Sequence, residues 1–189
     1  MFENRSIAVI GLGGNLPFQG SPTAITLRQA VQMLAQPDMV IRAVSRFFAT
    51  PCFPAGAGPD YVNAAVALQT GLPPAALLDR LHDIEAGFLR ERVQRWGMRT
   101  VDLDLLAYDQ VILPDLAGYS RWRALPSEEQ IRATPDELIL PHPRIQDRAF
   151  VLVPMLDVAP DWEHPVLRKS VRSLCSALPA AERDAIRPL

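Results

Sequence analysis

Asp102 and Asp104 flank a single leucine in the run Val101-Asp102-Leu103-Asp104-Leu105. Read as a strand, this run alternates: both carboxylates share one face, while Val101, Leu103 and Leu105 can pack into a core on the other. Two residues of strand separate the carboxylates by roughly 6–7 Å at the backbone. Their side chains can converge on one hard cation, or on two at the roughly 3.5–4 Å spacing of two-metal phosphoryl-transfer sites. Like charges so placed repel, so a bound cation or a cationic side chain is the expected companion. Taken alone, a bare D-x-D is equally an ordinary strand with a solvated face.

The residues just upstream weigh against the plainer alternative. Arg90, Arg92, Arg95 and Arg99 precede the aspartates within one short stretch, together with Trp96 and Gly97. A guanidinium presents a rigid fork of donors suited to phosphate oxygens. Gly97 marks a turn, so residues 92–100 are read as a loop that joins a helix to the acidic strand and hangs its cations over it. A basic helix end favoured by the dipole would account for Arg90 and Arg92, but not for Arg99 at the start of the strand. Carboxylates for a metal, arginines for phosphate and an indole for base stacking or packing together predict a nucleotide site.

Other signals are weaker singly. Pro141-His142-Pro143-Arg144, followed by Arg148 and Phe150, is a proline-fixed loop presenting an imidazole and two guanidinium groups. His82 and His164 are read as structural. Tyr61 and Asn63 alternate on a strand, so a ring and an amide share a face; this pair suits the plane and edge of a fused heterocycle, or simply a sheet surface. Several alternatives fail on spacing. Gly11-Leu12-Gly13 is followed by Leu16 where a dinucleotide fingerprint needs glycine, and no phosphate-loop lysine motif, zinc motif or nucleophile elbow occurs.

The elements that must carry these groups are legible in outline. Ser6–Gly11 reads as a buried strand ended by a glycine-rich turn over 11–15, and 23–34 as a helix bounded by Pro37. Strands are predicted over 40–48 and 61–68, with the proline- and glycine-rich loop 50–59 between them. A helix is expected over 75–92, with Leu77, Leu78, Leu81, Ile84, Glu85 and Phe88 along its inner stripe, then the acidic strand 101–108. Strand, helix, strand, strand, helix, strand, with both helices on one face of a mostly antiparallel four-stranded sheet, is the ferredoxin-like α+β arrangement. Beyond it, 113–137 is a polar, proline-broken insertion with one short helix around 127–133. Phe150–Met155 is expected to add a strand and 169–178 a closing helix.

The 189 residues fit one domain with that inserted loop. A formal net charge of −2 argues against a protein that grips nucleic acid along its backbone. Two cysteines form no disulfide framework, and neither a leader segment nor a membrane-length apolar run is apparent. The expected setting is the cytoplasm, with no nucleic-acid or membrane partner.

The block Arg90-x-Arg92-x-x-Arg95-Trp96-Gly97-x-Arg99-Thr100-x-Asp102-Leu103-Asp104-Leu105 closely resembles the signature of the 6-hydroxymethyl-7,8-dihydropterin pyrophosphokinases of folate synthesis. Gly13-Gly14-Asn15-Leu16, the stretch from Ser45 to Val66, Ile84-Glu85, and the stretch from Leu140 to Leu152 match in the same order, so the resemblance spans about 7–160. It implies a ferredoxin-like fold and transfer of the terminal diphosphate of ATP to a pterin hydroxymethyl group, releasing AMP. By position, Asp102 and Asp104 would hold two Mg²⁺ ions, and Arg90 and Arg99 would brace the triphosphate as catalytic groups. His142 and Arg148 would also reach the phosphates, with Glu85 and Trp96 shaping the ATP site. Tyr61 and Phe150 would sandwich the pterin, with Asn63 on its edge beside Thr50, Pro51 and Phe53. The implied partners are two small molecules, ATP and a dihydropterin, bound by a monomer. Leu89, Met98 and Gly14 depart from the family pattern, and the insertion is longer than its usual connection. An RNA-binding ferredoxin-like module and a magnesium phosphotransferase with a different acceptor are the competing readings.

Overall fold

The computed structural model describes residues 5–52, 58–88, 99–126, 129 and 135–189. Its elements are β1 (Ser6–Gly14), α1 (Thr23–Leu34), β2 (Met39–Val44), β3 (Phe48–Thr50), β4 (Tyr61–Thr70), α2 (Pro74–Gly87) and β5 (Asp102–Tyr108). There follow α3 (Leu116–Ala124), a 3-10 turn (Ile145–Asp147), α4 (Ala149–Val158), α5 (Val171–Ala177), α6 (Ala180–Asp184) and β6 (Arg187–Pro188). The strands form one antiparallel sheet in the order β5-β1-β4-β3-β6, with β2 also pairing with β4.

Alternation along the strands sorts their side chains onto two faces. Ile10, Leu12, Ala64, Val66, Leu68, Leu103 and Leu105 pack against Leu27, Ala30 and Leu34 of α1 and Leu77, Leu81 and Ile84 of α2. Val9, Ala65, Leu106 and Ala107 face the other way, against Val151, Leu152 and Met155 of α4 and Val171, Leu174 and Cys175 of α5. Each aliphatic side chain removed from water on either face contributes about 1.5–3 kcal/mol. The sheet is therefore covered on both sides, and the second cover stops short at one end.

Four expectations change. The sheet has six strands rather than four. β1 runs through the glycines to Gly14, because β4 and β5 hydrogen-bond it from both sides and leave no room for a turn. The strand expected over 40–48 is broken at Ser45–Phe47. There the Ser45 hydroxyl accepts the Ala65 N–H at 2.8 Å, while Arg46 donates its backbone N–H and its guanidinium to Asp157 of α4. The strand expected at Phe150–Met155 is helix α4. A uniformly apolar run carries no period that separates buried strand from buried helix, and packing against Val9 and Leu106 decided for helix.

The helix expected at 75–92 is described as Pro74–Gly87, with the rest of that range mostly outside the described residues, as is nearly all of 127–133. Among its described residues the insertion contributes α3, started by Asp115, whose carboxylate accepts the Gly118 N–H at 2.7 Å. Among the described residues no helix is long and apolar enough to cross a membrane.

α3 is pinned by a buried polar pair. The Tyr119 hydroxyl lies 2.9 Å from His164 Nε2, both residues are fully buried, and the Trp162 ring sits 5.6 Å from the imidazole. His164 Nδ1 accepts the N–H groups of Val166 and Leu167, which leaves Nε2 to carry the proton donated to Tyr119. Burial, reinforced by Arg123, pushes the His164 pKa down to about 4. The unfolded chain, with its His near 6.5, then binds more protons than the folded one. The neutral imidazole's contribution to stability is whole above pH 6.5 and is lost as pH falls toward 4. Urea unfolding from pH 7 to pH 4.5 is expected to show this loss, on the order of 2 kcal/mol, and His164→Gln should flatten that slope.

Candidate active site

Sheet register gathers the predicted groups. In an antiparallel ladder, directly opposed residues share a face. Gly13 of β1 stands opposite Asp102 on one side and Asn63 on the other, and Asn63 in turn opposes Phe48. One step along, Gly11 stands between Asp104 and Ala65, and Thr50 opposes Tyr61. The two carboxylates, the amide and the tyrosine thus lie on the face that α4 covers only in part. Gly11, Gly13, Asn63, Asp102, Asp104 and Phe150 line one open cleft of about 340 Å³, mouth included.

The two glycines form its floor. A Cβ at Gly13 would stand 2.9 Å from Asn63 Oδ1, and one at Gly11 would stand 3.2 Å from the Leu106 side chain. A side chain at either place would narrow the trough between acid and amide. Composition singled these glycines out as a turn, and only the pairing partners show them as a floor.

Charge is arranged around the acids. Arg99 pairs with Asp102, and each side chain keeps only 16% of its exposure. Burial lowers the Arg148 pKa, with Asp104 and Asp102 opposing that shift and Arg144 reinforcing it. Burial, and then Arg148, push His142 down to about 3, so its imidazole is neutral at physiological pH. His142 Nδ1 accepts the Arg144 N–H at 3.1 Å, which puts the ring proton on Nε2 as a donor. His142 is held here by β5 itself: the β1–β5 register slips at Leu106, whose carbonyl accepts the His142 N–H at 2.8 Å.

On the opposite wall, Asn63 is buried and donates to the Thr50 hydroxyl at 2.8 Å. Half-buried Tyr61 has a raised pKa, chiefly from burial, within the field of Arg99 and Asp102. Phe150 is exposed at the start of α4, where its ring faces the Arg148 guanidinium at 5.7 Å. Pro51 is exposed one residue beyond β3. Glu85 sits behind this arrangement, 1% exposed, and its carboxylate accepts the Leu103 N–H at 2.7 Å between the two aspartates. Phe53, Arg90 and Trp96 lie outside the described residues.

The donor set suits a hard cation. Two carboxylate oxygens at a strand's spacing are what Mg²⁺ accepts from protein when phosphate oxygens and water complete its six positions. Among the described residues no group of three or more His, Cys, Asp or Glu forms a closed metal cage. A cation held by Asp102 and Asp104 could be completed by a phosphorylated ligand and water.

Glu85→Ala would leave the Leu103 N–H buried without its acceptor. Urea unfolding is expected to show a loss of about 1–3 kcal/mol, with Glu85→Gln, which keeps an oxygen there, losing less.

A family model described as 7,8-dihydro-6-hydroxymethylpterin-pyrophosphokinase (HPPK) matches residues 9–160. A Synechocystis 2-amino-4-hydroxy-6-hydroxymethyldihydropteridine pyrophosphokinase is 36% identical over 168 residues, covering 88% of this chain and 73% of that protein. The Methylorubrum extorquens enzyme of the same name is 34% identical over 154 residues, covering 82% and 83%. Among solved structures, a Plasmodium falciparum HPPK-DHPS aligns with TM-score 0.59 at 16% identity, over 92% of this chain and 44% of that one. An HPPK-DHPS in complex with substrates aligns with TM-score 0.61 at 14% identity, over 92% and 45%. The chain thus spans less than half the length of these two solved chains, and at such identities they speak for the fold alone. The family match across most of the chain, with relatives above 30% identity over most of both lengths, places this protein in the 7,8-dihydro-6-hydroxymethylpterin-pyrophosphokinase family.

Proposed function

We propose that this chain transfers the diphosphate of ATP to the hydroxymethyl group of 6-hydroxymethyl-7,8-dihydropterin, releasing AMP, as a step of folate biosynthesis. The observation that carries the proposal is the single cleft in which Asp102 and Asp104 meet Asn63 and Phe150. Acids suited to a metal–triphosphate and an amide suited to the edge of a flat heterocycle lie on strands two spacings apart, roughly 9–10 Å.

In this reading the hydroxymethyl oxygen attacks the β-phosphorus. A new O–P bond forms, the bond from that phosphorus to the oxygen shared with the α-phosphate breaks, and its electron pair leaves with AMP. The hydroxyl proton departs to solvent. Asp102 and Asp104 would hold Mg²⁺, which would supply charge neutralisation for the phosphates when bound. Arg99 and Arg148 add donors whose charge persists through the reaction, and neutral His142 offers its Nε2–H to a phosphate oxygen. Arg90, and Trp96 with Glu85, complete the nucleotide side. Tyr61 and Phe150 stack on the pterin, with Asn63, Thr50, Pro51 and Phe53 at its edge. The protein's task is positioning and charge neutralisation, as phosphoryl transfer requires.

The four longer strands run β5-β1-β4-β2, antiparallel throughout, with α1 and α2 packed on one face. That order supports a ferredoxin-like βαββαβ core, within one pyrophosphokinase domain carrying an insertion at 113–137. On the same reading the enzyme works in the cytoplasm as a monomer on two small molecules, with two Mg²⁺ ions.

³¹P NMR of ATP, Mg²⁺, the dihydropterin and the purified protein is expected to show AMP and a pterin diphosphate growing together; ADP in place of AMP would overturn the mechanism. Asp102→Ala and Asp104→Ala are each expected to lower kcat at least about 100-fold while circular dichroism stays native. EDTA should abolish turnover, and excess Mg²⁺ should restore it.

A further inference from the structure

Asn15, the residue after β1, is 2% exposed and is not among the residues lining the cleft. Its side chain is nevertheless bonded toward both walls of that cleft. On one side its Oδ1 accepts the Arg99 N–H at 2.9 Å, while its backbone N–H and that of Leu16 donate to the Arg99 carbonyl at 2.9 and 3.1 Å. On the other side its Nδ2 donates to the Pro59 carbonyl at 3.3 Å. These partners are distant in sequence, 84 and 44 residues away. Arg99 carries the guanidinium paired with Asp102, and Pro59 stands two residues before Tyr61.

A carboxamide offers a neutral donor and a neutral acceptor on one short stem, and here both are used, each on a different segment. Asn15 itself is tethered to the central strand, whose pairing extends to Gly14 with β4 and to Gly13 with β5. It therefore refers both segments to the same rigid element.

We propose that Asn15 is a positioning residue that holds the Arg99 wall and the Tyr61 wall of the cleft in one register, so that each substrate meets a site already set for the other. This rests on the proposed assignment of ATP to the first wall and the pterin to the second. The two arms are chemically separable. Asn15→Asp keeps an oxygen for the Arg99 N–H but replaces the donor to Pro59 with a carboxylate facing a carbonyl. Asn15→Ala removes both arms.

The test is steady-state kinetics on the full chain, well below each variant's Tm. Asn15→Asp is expected to raise the pterin KM about tenfold, one hydrogen bond's worth, with the ATP KM within about twofold. Asn15→Ala is expected to raise both KM values and lower kcat about tenfold. All constants staying within twofold in both variants would overturn the proposal, as would parallel losses that simply track Tm. Amide hydrogen exchange supplies a readout that survives failure of the functional reading. The Arg99 N–H should be protected in the wild type and Asn15→Asp, and should exchange at least about tenfold faster in Asn15→Ala. Turnover failing in the wild type would refute the activity alone; unchanged Arg99 exchange in Asn15→Ala would refute the role of Asn15.

Discussion

Asp102 and Asp104 are forced to share a face, because β5 buries Leu103 and Leu105 against α1 and α2 and cannot rotate without exposing them. Two like charges at that spacing raise each other's energy, and much of the surrounding structure works to offset it. Arg99 pairs with one acid, and Arg148 lies within the field of both. In the proposed reading a divalent cation arriving with the nucleotide would add to this offset and balance the phosphate charge it brings. A metal site with only Asp102 and Asp104 as protein ligands, as proposed, would respond to the nucleotide instead of holding its ion permanently.

The same strand sets the acids' neighbours. Its one-residue slip against β1 turns the Leu106 carbonyl to the His142 N–H, bringing an imidazole from a distant loop into the field of Asp102. Burial keeps that imidazole neutral, so it can donate a hydrogen bond without adding a proton-dependent charge near neutral pH. Glu85 holds the Leu103 amide from behind. The central strand gives up side chains at Gly11 and Gly13, and the space released is the trough between acids and amide. Function here is a matter of what each strand leaves out as well as what it presents.

Much of this was legible in residue order. Alternation alone put Asp102 with Asp104 on one face of their strand and Tyr61 with Asn63 on one face of theirs, and α1 ends where the pattern and Pro37 say it should. The glycines of β1 misled, because a glycine run signals a turn unless the strands on both sides of it are known. The run Ala149–Val158 misled for a different reason: apolar throughout, it carries no period, and its helix exists to cover the sheet's second face. Ser45 and Arg46 broke a strand that propensity favoured, by offering side-chain partners that outcompeted the ladder.

Chemical identity and local periodicity thus came from the amino-acid sequence alone: which groups can bind metal, phosphate or a flat ring, and which neighbours in the chain they must face with or against. Those properties belong to single residues and to the repeat of one strand or helix. Which strands pair, in what register, and what covers each face belonged to the tertiary structure. Contacts such as Gly13 with Asp102 and Asn63, or Asn15 with Arg99 and Pro59, join segments tens of residues apart. Such contacts form only when burial of the whole core outweighs the entropy of closing the loops between them.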